Sequence, residues 1–190
     1  MSKSAPEDRA TNGPFDVSEV GILTPYLDFG AIRIAPRPDL QIRADVDESS
    51  KKIVALTLEL NGHRLQLQAF AASKSAGLWL ETLDALEKGI TSQGGSAQRV
   101  QGLLGTELQA NLIVDVGGNK QTRTSRFIGV DGPRWFLRGV INSPALDDFH
   151  YRKLIEIFRS TAINRGEIAM PPGELLLLKL PVQNPIAGNE

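Results

Sequence analysis

Residues 123–141 read Arg-Thr-Ser-Arg-Phe-Ile-Gly-Val-Asp-Gly-Pro-Arg-Trp-Phe-Leu-Arg-Gly-Val-Ile. Two runs of strand-favouring residues flank Asp131-Gly132, so the stretch predicts a β-hairpin. It carries four arginines, two phenylalanines and one of the two tryptophans in the chain. Alternation places Trp135, Leu137, Gly139 and Ile141 on one face of the second strand, and Arg134, Phe136, Arg138 and Val140 on the other. The Trp135 series is free of charge and is assigned to the core. A two-residue loop at Asp131-Gly132 sets Phe127 opposite Phe136 and Arg123 opposite Val140. The outer face then offers Arg123, Phe127, Arg134, Phe136 and Arg138 as a candidate surface for a planar, anionic or protein partner. In the alternative reading a loop or terminal segment covers the phenylalanines and the arginine stems lie over them. Pro133 lacks an N–H and also permits a longer loop, which would shift the cross-strand partners but not the two faces.

The same period-two patterning extends outward from this hairpin. Leu40, Ile42, Ala44 and Val46 alternate with polar residues, and Val54, Leu56, Leu58 and Leu60 repeat the pattern. Asn61-Gly62 supplies a turn whose residues tolerate positive φ, and Leu65, Leu67 and Ala69 follow. A two-residue turn there pairs Leu58 with Leu65, Leu56 with Leu67 and Glu59 with Arg64, which puts both apolar sets on one face. Leu108 to Val116 reads as a further strand, ended by Gly117-Gly118-Asn119.

Two segments change period. Trp79, Leu83, Leu86 and Ile90 fall at helical spacing. Ser143-Pro144 reads as an N-cap and first helical position, with Asp147 and Asp148 in the positive first turn. Tyr151, Leu154, Ile155 and Phe158 form the inward stripe of that second helix, expected to run to about Asn164 before Gly166. Leu175 to Leu180 is expected as an edge strand or as an extended segment docked on the body. The fold class is therefore α+β: a mainly antiparallel sheet with two principal helices packed on one face. Residues 1–20, polar and interrupted by Pro6, Gly13 and Pro14, are expected as a mobile tail; residues 21–180 form a single domain; residues 181–190 are a second tail.

Composition narrows the chemistry. The chain has 190 residues, 41% hydrophobic and 23% charged, enough for one well-buried core. Its net charge of -1 provides no global field toward nucleic acid or an anionic membrane. It has no cysteine, which removes disulfides, thiolate nucleophiles and cysteine-based metal sites. No secretory-signal or membrane-spanning apolar run is present, and a cytoplasmic location without membrane insertion is expected.

The only two histidines, His63 and His150, lack a ligand partner at His-Glu-x-x-His spacing and read as solvated surface residues. Gly117-Gly118-Asn119-Lys120 does not have Walker spacing and precedes a strand, so it reads as a turn. Asp147 and Asp148 point about 100° apart on a helix and stabilise its start rather than acting as a catalytic pair, with Asp148 in reach of Arg152. No catalytic residue, cofactor or metal site is assigned.

Several motifs resemble an uncharacterised actinobacterial family, a domain of unknown function. They are Leu27-Asp28-Phe29-Gly30-Ala31, Gln66 to Ala72 leading to Gly77-Leu78-Trp79, Gly105-Thr106-Glu107-Leu108 and, most fully, Arg126 to Gly139. The resemblance spans about Gly13 to Pro181. The chain has Ser73-Lys74 where that family's pattern has Pro-Arg, and Leu80 where an acidic residue is usual. The resemblance implies a cytoplasmic, non-membrane protein and supplies no activity. The expected function is a non-catalytic intracellular binding or adaptor protein that meets a protein partner through the Arg/aromatic hairpin face. Nucleic-acid or anionic-ligand binding on that face is the alternative, self-association is open, and an enzyme without a recognisable motif is the least favoured class.

Overall fold

The computed structural model describes residues 1–182. A short helix α1 (Arg9–Asn12), strand β1 (Phe15–Asp16) and a 3-10 turn (Val17–Glu19) open the chain. Strands β2 (Leu27–Asp28), β3 (Ile32–Ile34), β4 (Gln41–Val46), β5 (Ile53–Leu60) and β6 (His63–Ala71) precede helix α2 (Trp79–Ser92). Strands β7 (Ser96–Gly102), β8 (Gly105–Val116), β9 (Asn119–Asp131) and β10 (Trp135–Asn142) then lead to helix α3 (Asp148–Ser160) and β11 (Ala162–Ile163). The main sheet has seven antiparallel strands in the order β4-β5-β6-β10-β9-β8-β7. A four-stranded sheet, β1-β11-β3-β2, includes one parallel pair, β1 with β11.

The Asn61-Gly62 turn sets the first hairpin as the patterning requires. Asn61 and Gly62 have φ of 50° and 81°, and Leu58 pairs with Leu65, Leu56 with Leu67 and Glu59 with Arg64. The second hairpin has a longer loop. Phe136 pairs with Asp131 and Val140 with Phe127, so Phe127 does not face Phe136. Arg123 pairs with Leu112 of β8 and not with Val140. Pro133 offers no N–H for a tight two-residue closure, and the Gly132 N–H bonds instead to the Trp135 carbonyl at 2.8 Å.

The two helices lie on opposite faces of the main sheet, which corrects the expectation that both pack on one. Trp135, Leu137 and Ile141 share a core with Leu154, Ile155 and Phe158 of α3 and with Ile32, Ile34 and Ile163 of the small sheet. Phe136, Phe127, Leu108 and Ala110 share a separate core with Trp79, Leu83 and Ile90 of α2. Because neighbouring residues of a strand point to opposite sides, these two cores must be separated by the sheet.

Helix α3 also begins later and ends earlier than its sequence pattern suggested. Asp147, not Ser143, is its N-cap, accepting the His150 N–H at 2.7 Å, and Thr161 leaves the helix so that Ala162 and Ile163 can join the small sheet. The Asp148–Arg152 pair does form, at 2.8 Å.

The segment expected as a mobile N-terminal tail is tied to the body. Phe15 and Asp16 pair with Ala162 and Ile163, the Asp131 N–H donates to the Ser4 carbonyl at 2.9 Å, and Lys3 Nζ donates to the Gly132 and Pro133 carbonyls. Its own apolar content is small, and hydrogen bonds of its backbone and of the Lys3 and Asp16 side chains anchor it. Residues 173–176 dock extended along β6 beyond the end of its pairing with β5, the Ala71 N–H donating to the Glu174 carbonyl and the Leu176 N–H to the Ala69 carbonyl, both at 2.8 Å, and Leu178 then bonds to Ile53 at the start of β5. Of the tail expected at 181–190, residues 183–190 lie outside the described part of the chain. Among the described residues no helix is long and apolar enough to cross a membrane.

Candidate functional site

A cleft of about 790 Å³ opens between α2 and the sheet face that carries Phe136. Its cause is visible in the sequence of the helix. Trp79 and Leu83 are buried against the sheet and close one part of the interface. Ala85 and Gly89, four apart and therefore on one side of the helix, are too small to fill the next part. A Cβ at Gly89 would meet nothing within 4 Å. The walls are largely apolar, with Phe70, Leu86, Ile90, Phe127 and Phe136 among them. Phe136 lies 5.7 Å from the Phe70 ring and 5.8 Å from the Trp79 ring, centroid to centroid.

Arg138 is the cationic group in this lining. Its guanidinium sits 5.3 Å from the Phe70 ring centre, and Nη2 donates to Gln68 Oε1. The Nε atom is buried without a hydrogen-bond partner, and no carboxylate pairs with the group among the described residues. Burial alone lowers its pKa from the usual arginine value. A guanidinium removed from water without a counter-charge is costly unless an anion meets it.

The five residues singled out from the sequence separate into three places. Phe127, Phe136 and Arg138 do come together, but beneath α2, with Phe127 and Phe136 buried rather than displayed. Arg134 is exposed in the loop before β10. Arg123 lines a second, polar cleft of about 850 Å³ with Arg43, Thr57, Arg64, Gln66 and Asn142. There Arg43 pairs with Asp45 and Arg64 with Glu59, each at 3.0 Å. Asp45 also accepts from Thr57 Oγ1 at 2.5 Å and Gln66 Nε2 at 3.1 Å; burial opposes its ionisation, but these hydrogen bonds and Arg43 outweigh it and hold the pKa below the usual carboxylate value. The two clefts follow one another along the same sheet face: Arg138 and Asn142 are both even positions of β10, and Phe127 and Arg123 both odd positions of β9.

Sequence reasoning missed one cluster outright. His63 and His150, read as separate surface residues, stack with ring centres 4.1 Å apart. With Asp147 they bring three metal-binding side chains within 4.8 Å of one another. The signal lay in the register. Asn142 opposite Arg64 puts Ser143 beside His63, at the end of the sheet where α3 begins.

An antiparallel sheet with α2 on one face, α3 on the other, and an arginine-based apolar cleft under α2 defines a strand-rich α+β protein with a preformed ligand-sized cavity. Residues 13–185 match the family described as "Protein of unknown function (DUF3710)", and the chain belongs to that family. Comparison with curated proteins and with solved structures gave no match.

Proposed function

We propose that this chain is an intracellular, non-catalytic binding protein whose ligand is an amphipathic anion, with an apolar body under α2 and a carboxylate or phosphate on Arg138. The observation that carries this reading is the partly buried Arg138 guanidinium, its Nε buried and unpartnered and no carboxylate paired with it among the described residues, in a mainly apolar cleft whose other polar lining is Glu81, Thr82 and Gln93. An anion there gains charge-assisted hydrogen bonds in a low-dielectric setting, worth about 1.5–3 kcal/mol over a neutral head group. The cleft volume falls within the ordinary range for small-ligand sites. This narrows the broader expectation of an adaptor surface, because Phe127 and Phe136 lie under a helix and do not offer a flat protein-docking face.

The test is titration with dodecanoate and with dodecanol, followed by the fluorescence of Trp79 in the adjoining core. Dodecanoate is expected to bind saturably and at least about tenfold more tightly than the alcohol, the ratio set by one charge-assisted contact. Arg138→Met should abolish that preference, and Gly89→Leu should block both probes by filling the cleft. Absence of saturable binding, or equal binding by Gly89→Leu, overturns the proposal.

A further inference from the structure

On the opposite face of the sheet, at the start of α3, the His63, Asp147 and His150 side chains form a cluster that the cleft does not use. We infer that these three residues bind a divalent first-row transition cation, for which zinc is the probe. The backbone fixes each donor. His63 is the first residue of β6, directly after the Asn61-Gly62 turn, and Asp147 and His150 bracket the first turn of α3. The donor atoms lie within 4.8 Å of one another, a separation that a single ion and small side-chain rotations can close.

The hydrogen bonds around the cluster resemble those that orient metal-binding imidazoles. His63 Nδ1 lies 2.7 Å from Ser143 Oγ, and His150 Nδ1 lies 2.7 Å from Asp147 Oδ2. With its Nδ1–H donating to the Ser143 hydroxyl, His63 presents Nε2 as the ligand, whereas Asp147, itself a ligand, exchanges its hydrogen bond to the His150 ring for the ion. Neither Nε2 has a hydrogen-bond partner among the described residues. His63 and His150 are only partly buried and Asp147 is exposed, so an ion has access from solvent.

Two imidazoles and one carboxylate match zinc, copper, nickel or cobalt rather than calcium or magnesium, which take oxygen donors. Three protein ligands leave at least one position for water. An aromatic stack that only caps α3 would account for the ring contact, and the experiment separates the two.

Zinc binding to the full chain would be measured by competition with a chromophoric chelator, and cobalt substitution by its visible absorption. The expected result is one zinc per chain, no competition by magnesium, and a cobalt spectrum of nitrogen and oxygen ligation. His63→Phe and His150→Phe preserve ring packing and remove a donor; each should weaken zinc at least about tenfold. Folding of both variants is checked by circular dichroism, and Asp147→Asn, which keeps a capping oxygen, serves as a third variant if either fails. No competition by the wild-type chain, or wild-type affinity in the folded variants, overturns the inference.

Discussion

The Asp131 carboxylate accepts the backbone N–H of Leu78 at 2.8 Å, so the tip of the β9–β10 hairpin caps the start of α2 from outside the helix. The same carboxylate reaches the Trp79 N–H at 3.4 Å and the Ser4 N–H at 2.9 Å. Leu78 occupies the N-cap position and has no side-chain oxygen with which to satisfy those donors itself. Asp131→Ala would leave buried N–H groups unpaired and is expected to cost about 2 kcal/mol in urea denaturation. Hydrogen exchange should accelerate first at Leu78 and Trp79.

Trp135 is fully buried, and its Nε1 donates to Asp16 Oδ2 at 2.9 Å, joining the hairpin to the N-terminal segment. Trp135→Ala should lose about 3–5 kcal/mol, the range for deleting a buried large aromatic. Chemical denaturation set against Arg138→Ala should show a much smaller loss for the arginine.

Gly129 is opposite Arg138 in β10, and a Cβ on it would lie 2.4 Å from the Trp79 ring and 2.9 Å from the Phe136 ring. Both obstacles are rings held in the core, not the ends of flexible chains. Gly129→Ala is therefore expected to destabilise by about 1–3 kcal/mol through overpacking. A thermal melt with unchanged far-ultraviolet signal would check that the cost falls on packing.

Arg138→Met replaces a desolvated charge by an apolar chain of similar length. It should raise stability by up to about 1 kcal/mol while removing the preference for an anionic ligand. Denaturant midpoints and ligand titrations on the same preparation measure the two effects together.

Tyr151 donates to Glu107 Oε1 at 2.7 Å and accepts the Leu103 N–H at 3.0 Å. Burial is the first cause that pushes its pKa from 10.0 up to about 12, with the Glu107 carboxylate acting in the same direction. A raised folded pKa means that the neutral phenol stabilises the fold fully below pH 10 and that this contribution is lost as pH rises toward 12. The melting temperature of the wild type should fall more steeply across that window than that of Tyr151→Phe.

Much of the sheet was legible because alternation and turn chemistry are local. Asn61-Gly62 requires two residues at positive φ, and once it closes, the pairing of Leu58 with Leu65 follows. Other elements were hidden for physical reasons. Strand β7, Ser-Ala-Gln-Arg-Val-Gln-Gly, is mostly polar because it is an edge strand with little to bury. The strands of the small sheet are two or three residues long, shorter than any period can reveal.

By itself the sequence determined that Trp135, Leu137 and Ile141 point away from Phe136 and Arg138, because the period of a strand admits no other arrangement. Only the tertiary structure decided what covers each side. Phe136, Phe127, Leu108 and Ala110 make the second face apolar as well, and α2, whose stripe suits either face, packs there instead of beside α3. That choice turned a predicted outer surface into a cleft with Arg138 in it. The meeting of His63 with Asp147 and His150 was decided in the same way: each residue was placed by its own turn or cap, and strand register brought them to one end of the sheet.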